Sequence, residues 1–187
     1  FLLAYPRQEI MDKIVKPINA TASLMNSLLV FPKEPGYADM IAKNGVSKYT
    51  SGSQDDRTAQ ALALVKKYYP DASATNGAVK VRLLWGQPSN ARRAAEAALV
   101  KAALAKAGFD VNTTGTSGWS RYLADSSYDA MFFAWVKSAI TQKGNADLFC
   151  TKCDNNSLGY SNATVDKLVE ELGAKQLSDK ERLAKYL

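Results

Sequence analysis

A parallel α/β fold is expected for this 187-residue chain on three features. Val79, Val81, Leu83 and Trp85 alternate with Lys80, Arg82 and Leu84, which is the two-residue period of a strand ending at Gly86. Pro88-Ser89-Asn90 then supplies a breaker and a cap for an alanine-rich helix over about 91–107, closed by Gly108. Phe109, Val111 and Thr113 next alternate with Asp110, Asn112 and Thr114. Strand, helix and strand within about 35 residues form a βαβ unit, so the two strands run parallel through a right-handed crossover.

The other elements follow from similar local signals. Pro6 opens a helix whose apolar stripe is Ile10, Met11, Ile14, Val15 and Ile18, and Pro17 ends or kinks it. Residues 20–52 are irregular, punctuated by Pro32, Pro35, Gly36 and Gly45, with one short helix near 37–43. Ser53 caps a helix with Asp55 and Asp56 in its first turn, turning Leu62, Val65 and Tyr69 inward before Pro70. A turn and short helix occupy 116–125, and the nearly all-apolar segment 128–136 reads as a strand covered on both faces, central in the sheet. Residues 137–160 form a long polar loop carrying both cysteines. Val165, Leu168, Val169 and Leu172 mark an amphipathic helix, and Ser178-Asp179-Lys180-Glu181 is a capping box for a last one.

Composition narrows the function. The chain is 47% hydrophobic and 22% charged, long enough to bury a core as a single α/β domain over 1–187 without staples. It has no histidine, which excludes Ser-His-Asp and Cys-His catalysis and leaves a zinc site without its commonest nitrogen ligand. The net charge of +6 is spread along the chain without a nucleic-acid-binding signature, so no nucleic-acid partner is expected. The longest apolar run, residues 130–136, is far short of the roughly 20 residues of a membrane-spanning helix. Cys150 and Cys153 stand as one Cys-x-x-Cys among turn-forming residues, half of a four-cysteine metal site at most. They read as a small structural disulfide if the protein is exported and as two idle thiols if it is not. Neither metal nor cofactor is expected. The Asn-x-Ser/Thr triplets at Asn19, Asn112, Asn155 and Asn162 are assigned no sugar.

The order and wording of these parts resemble the extracellular solute-binding proteins of peptide ABC importers, the oligopeptide- and dipeptide-binding family, over nearly the whole chain. The resemblance is carried by Pro6-Arg7-Gln8-Glu9-Ile10, by Asn90-Ala91-Arg92-Arg93-Ala94-Ala95-Glu96 after the strand, and by Lys106-Ala107-Gly108-Phe109-Asp110-Val111. Later come Tyr128-Asp129-Ala130 up to Trp135, Gly159-Tyr160-Ser161-Asn162, Asp166-Lys167-Leu168 and Asp179-Lys180-Glu181-Arg182-Leu183. The family implies a type II periplasmic-binding-protein-like fold, with two lobes enclosing a ligand at a hinge. This chain matches the second lobe, with a central, mainly parallel sheet flanked by helices. The start at Phe1 without an initiator Met or a leader agrees with a piece of a longer protein. The resemblance further implies capture and release of short peptides without bond breaking. It implies a monomer, extracellular, either periplasmic or anchored to the cell surface as a lipoprotein, working with the missing first lobe and a membrane permease.

Candidate ligand residues follow from the resemblance. An arginine opening the helix after the strand, Arg92 or Arg93, is expected to grip a peptide carboxylate, because a planar guanidinium offers two parallel hydrogen bonds at the positive end of a helix. The alternative is an Arg92–Glu96 pair one turn apart with Arg93 in solvent. Asn90 caps that turn. Trp135, and more weakly Trp85, offer an aromatic face to the ligand or fill the core. Where dipeptide-binding relatives place an ammonium-binding aspartate, this chain reads Val136-Lys137-Ser138-Ala139. That departure points to a longer or blocked peptide or to another solute, such as a sugar or a nickel complex, with Lys137 favouring an anionic group.

Two other classes compete. A histidine-independent carbohydrate-active enzyme would use a carboxylate pair drawn from Asp125, Asp129 and Asp147. A protein-interaction module would dock a receptor or sensor through the basic surface or the 137–160 loop, and would expose a contiguous apolar patch.

Overall fold

The computed structural model describes residues 1–125 (backbone alone at 124 and 125), 127–134, 146–174 and 176–187. Two compact units divide the chain, one of Phe1–Leu24 and Lys48–Phe133, the other of Met25–Ser47 and Ala134–Leu187. None of the described helices is long and apolar enough to cross a membrane.

In the first unit, α1 (Arg7–Ile10) runs on into a π-helical turn, Met11–Val15, closed by the Lys16 N–H donating to the Met11 carbonyl at 2.8 Å. The extra residue in that turn breaks the expected stripe, because it rotates everything after Met11 relative to a 3.6-residue period. Met11 is buried as expected, whereas Ile18, which follows the turn, is exposed rather than inward. Helix α2 (Tyr37–Lys43) lies in the second unit where a short helix was expected, and α3 (Ser47–Thr50) is a single turn. Helix α4 (Gln54–Lys66) starts at a reciprocal cap, with Ser53 Oγ accepting the Asp56 N–H at 3.1 Å and Asp56 Oδ2 accepting the Ser53 N–H at 3.3 Å. Arg57 ties the preceding turn to this helix by donating through Nη1 to the carbonyls of Ser51 at 3.2 Å and Gly52 at 2.6 Å. Ala61 and Val65 face inward, but Tyr69 lies past the last turn and is exposed, contrary to the sequence expectation.

Strands β1 (Val79–Gly86), β2 (Phe109–Thr116) and β3 (Ala130–Phe132) form a parallel sheet in the order β2-β1-β3. The β1/β2 register runs from Val79 opposite Phe109 to Gly86 opposite Thr116. Between them, α5 (Ala91–Ala105) buries Ala97, Val100 and Leu104, spaced three and four residues apart, against the core formed with Val81, Leu83 and Val111. Gly108 follows at φ +81°, where a Cβ would meet Ala72 at 3.1 Å and Leu62 at 3.2 Å. The β-α-β reading is thus met, with the helix ending two residues earlier than expected.

The centre of the sheet is a correction. Segment 128–136 was expected there, but β1 is the strand bonded on both edges, and the described part of that segment contributes only the three residues of β3. Residues 135 and 136 lie outside the described residues. What positions so short a strand is a charged clamp. Asp129 Oδ2 accepts the Arg82 backbone N–H at 2.7 Å and Arg82 Nε at 3.1 Å, Oδ1 accepts Nη2 at 2.9 Å, and the Asp129 N–H donates to the Arg82 carbonyl at 3.0 Å. Helix α6 (Trp119–Asp125) links β2 to this clamp.

The second unit is built around Ala146, Cys150, Val169 and Leu172. A 3₁₀ turn, Ala146–Leu148, leads into Cys150 and Cys153, which form a disulfide with 5.5 Å between Cα atoms. Asp166, in the first turn of α7 (Ala163–Ala174), accepts the Thr151 N–H at 2.6 Å, and Asn156 Nδ2 donates to the carbonyls of Cys150 and Tyr160 at 2.9 and 2.6 Å. Helix α8 (Asp179–Tyr186) has the expected capping box between Ser178 and Glu181, and Lys185 pairs with Glu171 of α7.

Two stability predictions follow from this packing. The Arg82 side chain, then its backbone N–H, hold the Asp129 carboxyl down at about 2. A lowered folded value stabilises the protein above the unfolded value near 4, and that contribution is lost as pH falls from about 4 through about 2. Asp129→Asn should lower stability at pH 7 by about 1 kcal/mol or less, since the pair is half exposed. Thermal melts from pH 7 to pH 2 should show the wild-type advantage disappearing in that window; an advantage constant with pH contradicts the assignment. Gly115 sits opposite Trp85, and a Cβ there would lie 2.9 Å from both the Trp85 ring and Pro88 Cα. Gly115→Ala should cost about 1–3 kcal/mol in urea unfolding through forced displacement of that ring or turn; an unchanged midpoint contradicts it.

Candidate ligand-binding site

In a parallel open sheet, crevices form outside the carboxyl ends of the strands, where helix N-termini converge. Here that edge holds Trp85 and Gly86 of β1, the turn at residues 87–89, and the start of α5. Gly86 leaves room for the Trp119 indole, since a Cβ would come within 2.6 Å of Trp119 Cδ1. Trp119 in turn stands 5.1 Å from the Phe133 ring, tilted by 50°. The chain leaves the strand through Gln87 at φ +60°. Asn90 closes the turn: its N–H donates to the Gln87 carbonyl at 2.9 Å, and its Oδ1 accepts the Arg93 N–H at 3.1 Å.

Four of the sequence-predicted ligand residues have a place among the described residues. Asn90 is the helix cap. Arg93 folds back onto the strand end, donating through Nη1 to the Gly86 carbonyl at 2.9 Å, so it braces the turn rather than standing in solvent. Arg92 pairs with Glu96 at 3.1 Å, one turn along. The Glu96 side chain is only 14% exposed, and the buried Tyr5 hydroxyl is pushed up to about 12 by its burial first and the Glu96 charge second. Trp85 is 7% exposed, its ring lying against Gly115 in the core. Trp135, Lys137 and Ser138 lie outside the described residues, as does the first part of the 137–160 loop.

The first turn of α5 carries two arginines and no acid. The N–H groups of Ala91 and Arg92 have no hydrogen-bond partner among the described residues, as the first donors of a helix require unless something caps them. The electrostatics of this edge therefore suit an anionic group. Trp119 and Phe133 were not singled out as site residues from the sequence. The signal that finds them is Gly86, whose missing side chain only makes sense once the Trp119 ring is seen to occupy its place.

Two of the three competing carboxylates are otherwise occupied. Asp129 is held by Arg82, and Asp147 accepts Asn155 Nδ2 at 2.6 Å in the second unit; the Asp125 side chain lies outside what the structure describes. Among the described residues no cluster of three or more His, Cys, Asp or Glu is placed to hold a metal ion.

No protein-family model matches the chain, and no curated protein does. Solved structures do. The periplasmic EDTA-binding protein EppA matches at a TM-score of 0.73 with 17% identity, over 99% of this chain and 34% of its own. OppA of Haemophilus influenzae in complex with RPPGFSPFR matches at 0.66 with 21% identity, over 99% of this chain and 34% of its own. NikA of Staphylococcus aureus in complex with Ni(L-His)2 matches at 0.65 with 18% identity, over 98% of this chain and 36% of its own. These neighbours are binding proteins rather than enzymes, and this chain spans about a third of their length. The described residues, with three parallel strands flanked by helices, have the α/β fold of a fragment of a periplasmic-binding-protein-like structure.

Proposed function

We propose that this chain is one ligand-binding lobe of an extracellular solute-binding protein that captures short peptides, or solutes of similar size, for an ABC importer. The observation that carries the reading is the fold likeness, which runs over 98–99% of the chain and joins it to proteins solved with a nonapeptide and with a nickel–histidine complex. The site geometry agrees with it. Parallel strands end at a capped helix start that carries two arginines, with a pair of aromatic rings beside it, an arrangement suited to an anionic solute. Arg92 is the better anchor of the two arginines, because its guanidinium is half exposed and can add a ligand carboxylate while keeping Glu96, whereas Arg93 is committed to Gly86. Trp135, Lys137 and Ser138 are proposed to complete the ligand contacts, and Asn90 to hold the turn that presents them. The other lobe and a membrane permease are the proposed partners, and the outside of the membrane the proposed location.

A closing two-lobed binder buries its ligand only when both lobes engage, so binding to this chain alone is expected to be weak. Titrating the 187-residue chain with a pool of short peptides, followed by backbone amide resonances, should shift Ala91, Arg92 and Arg93. Amidating the peptide C-termini, or Arg92→Ala, should weaken those shifts about tenfold, the worth of a charge-assisted hydrogen bond. Shifts unaffected by amidation would remove the carboxylate from the reading, and a complete lack of response would remove the peptide.

A further inference from the structure

One polar group at the same edge has no partner among the described residues. Trp85 is more than nine-tenths buried, yet its indole Nε1–H meets no acceptor there. A native interior seldom tolerates this, since a buried donor without a partner costs about 1–3 kcal/mol. Its surroundings are the turn between β1 and α5: the position a Gly115 Cβ would occupy is 2.9 Å from Trp85 Nε1 and 2.9 Å from Pro88 Cα, so indole and turn border the same point. The turn itself, residues 87–89, is exposed. Its described hydrogen bonds run only to Asn90, from the Asn90 N–H to the Gln87 carbonyl at 2.9 Å and from Asn90 Nδ2 to Gln87 Oε1 at 3.4 Å. Beyond it lie the unpartnered N–H groups of Ala91 and Arg92, at a helix start with no acid in its first turn.

We propose that Trp85 is a ligand-binding residue whose indole N–H, covered by the turn at residues 87–89, donates to a ligand carboxylate when that turn lifts, together with the N–H groups of Ala91 and Arg92. Three neutral donors then converge on one anion beside the Arg92 guanidinium, in a position shielded from water by the core around Trp85. Trp85 thereby serves as a hydrogen-bond donor through its nitrogen, and its ring stays in the core. The inference rests on the peptide-binding reading above and goes beyond it in assigning the donor and the moving turn.

The test uses the full chain labelled with ¹⁵N at its indoles, titrated with N-acetylglycylglycine and, separately, with its C-terminal amide. The carboxylate form should move the Trp85 Nε1–H signal downfield and slow its hydrogen exchange, saturating together with the Ala91 and Arg92 amides, and the amide form should do so at least about tenfold more weakly. Replacing Trp85 by benzothienylalanine, which keeps the ring shape and removes the N–H, should weaken binding about tenfold; Trp85→Phe is the second variant, with circular dichroism confirming that it folds. If the Ala91 and Arg92 amides respond while the Trp85 indole does not, or if both variants bind as well as the parent, the role of Trp85 is overturned and the peptide reading survives. If nothing responds to either compound, both fall together.

Discussion

A strand that is hydrogen-bonded on both edges and buried on both faces cannot slip by one residue without exposing its apolar side chains and breaking two ladders together. Strand β1 is that element here. Val81, Leu83, Leu84, Trp85 and Gly86 are all buried, β2 runs parallel on one side over eight residue pairs, and β3 lies on the other. Because β1 is bonded on both edges, its register fixes where the chain leaves it at Gly86, and the Arg93 bond to the Gly86 carbonyl ties the first turn of α5 to that point. The site is thus defined by where a ladder ends.

Much of the charge on this chain builds structure. Arg82 and Asp129 seat a three-residue strand that has little ladder of its own. Arg57 gathers the carbonyls that precede α4, and Arg93 does the same for the turn before α5. In each case the guanidinium works because its several donors fan out in one plane, reaching a carboxylate at Arg82 and backbone oxygens at Arg57 and Arg93. The net charge of +6 is accordingly a poor guide to partners, since several of the cations already have internal acceptors. The glycines are equally specific. Gly86 and Gly115 are sites of close approach, where the rings of Trp119 and Trp85 take the space of a side chain.

In the second unit, cross-links surround the described cluster of Ala146, Cys150, Val169 and Leu172: the Cys150–Cys153 disulfide, Asp166 accepting the Thr151 N–H, and Asn156 bridging Cys150 and Tyr160. A loop closed in this way keeps one shape with little hydrophobic burial, because side-chain amides and carboxylates satisfy the backbone groups a sheet would otherwise pair. A Cys-x-x-Cys among turn residues serves such a loop by its geometry alone.

Local signals were legible in the sequence because they act over a few residues. The two-residue period of 79–86 and 109–114, the caps at Ser53, Asn90 and Ser178, the breaks at Pro17 and Gly108 and the βαβ order all depend on propensity and on hydrogen bonds within one turn. The likeness to solute-binding proteins was legible too, through the order of those parts. What the sequence alone left undecided was long-range. Apolar content suggested that 128–136 would be the central strand, but hydrophobicity reports burial and says nothing of which neighbours a strand bonds. A single π-turn at Met11–Val15 reversed the exposure of Ile18. The Arg92–Glu96 pair was one of two alternatives the spacing offered, whereas the Arg93 bond to Gly86 depends on side-chain direction and Trp85 lies opposite Gly115 and Phe132, 30 and 47 residues on, which only the folded sheet decides. Composition and spacing determined an α/β chain with an arginine-rich helix start; tertiary packing decided that Arg93 braces the strand end, and it buried an indole N–H that meets no acceptor among the described residues, because side-chain direction and burial are set only when strand, turn and helix pack together.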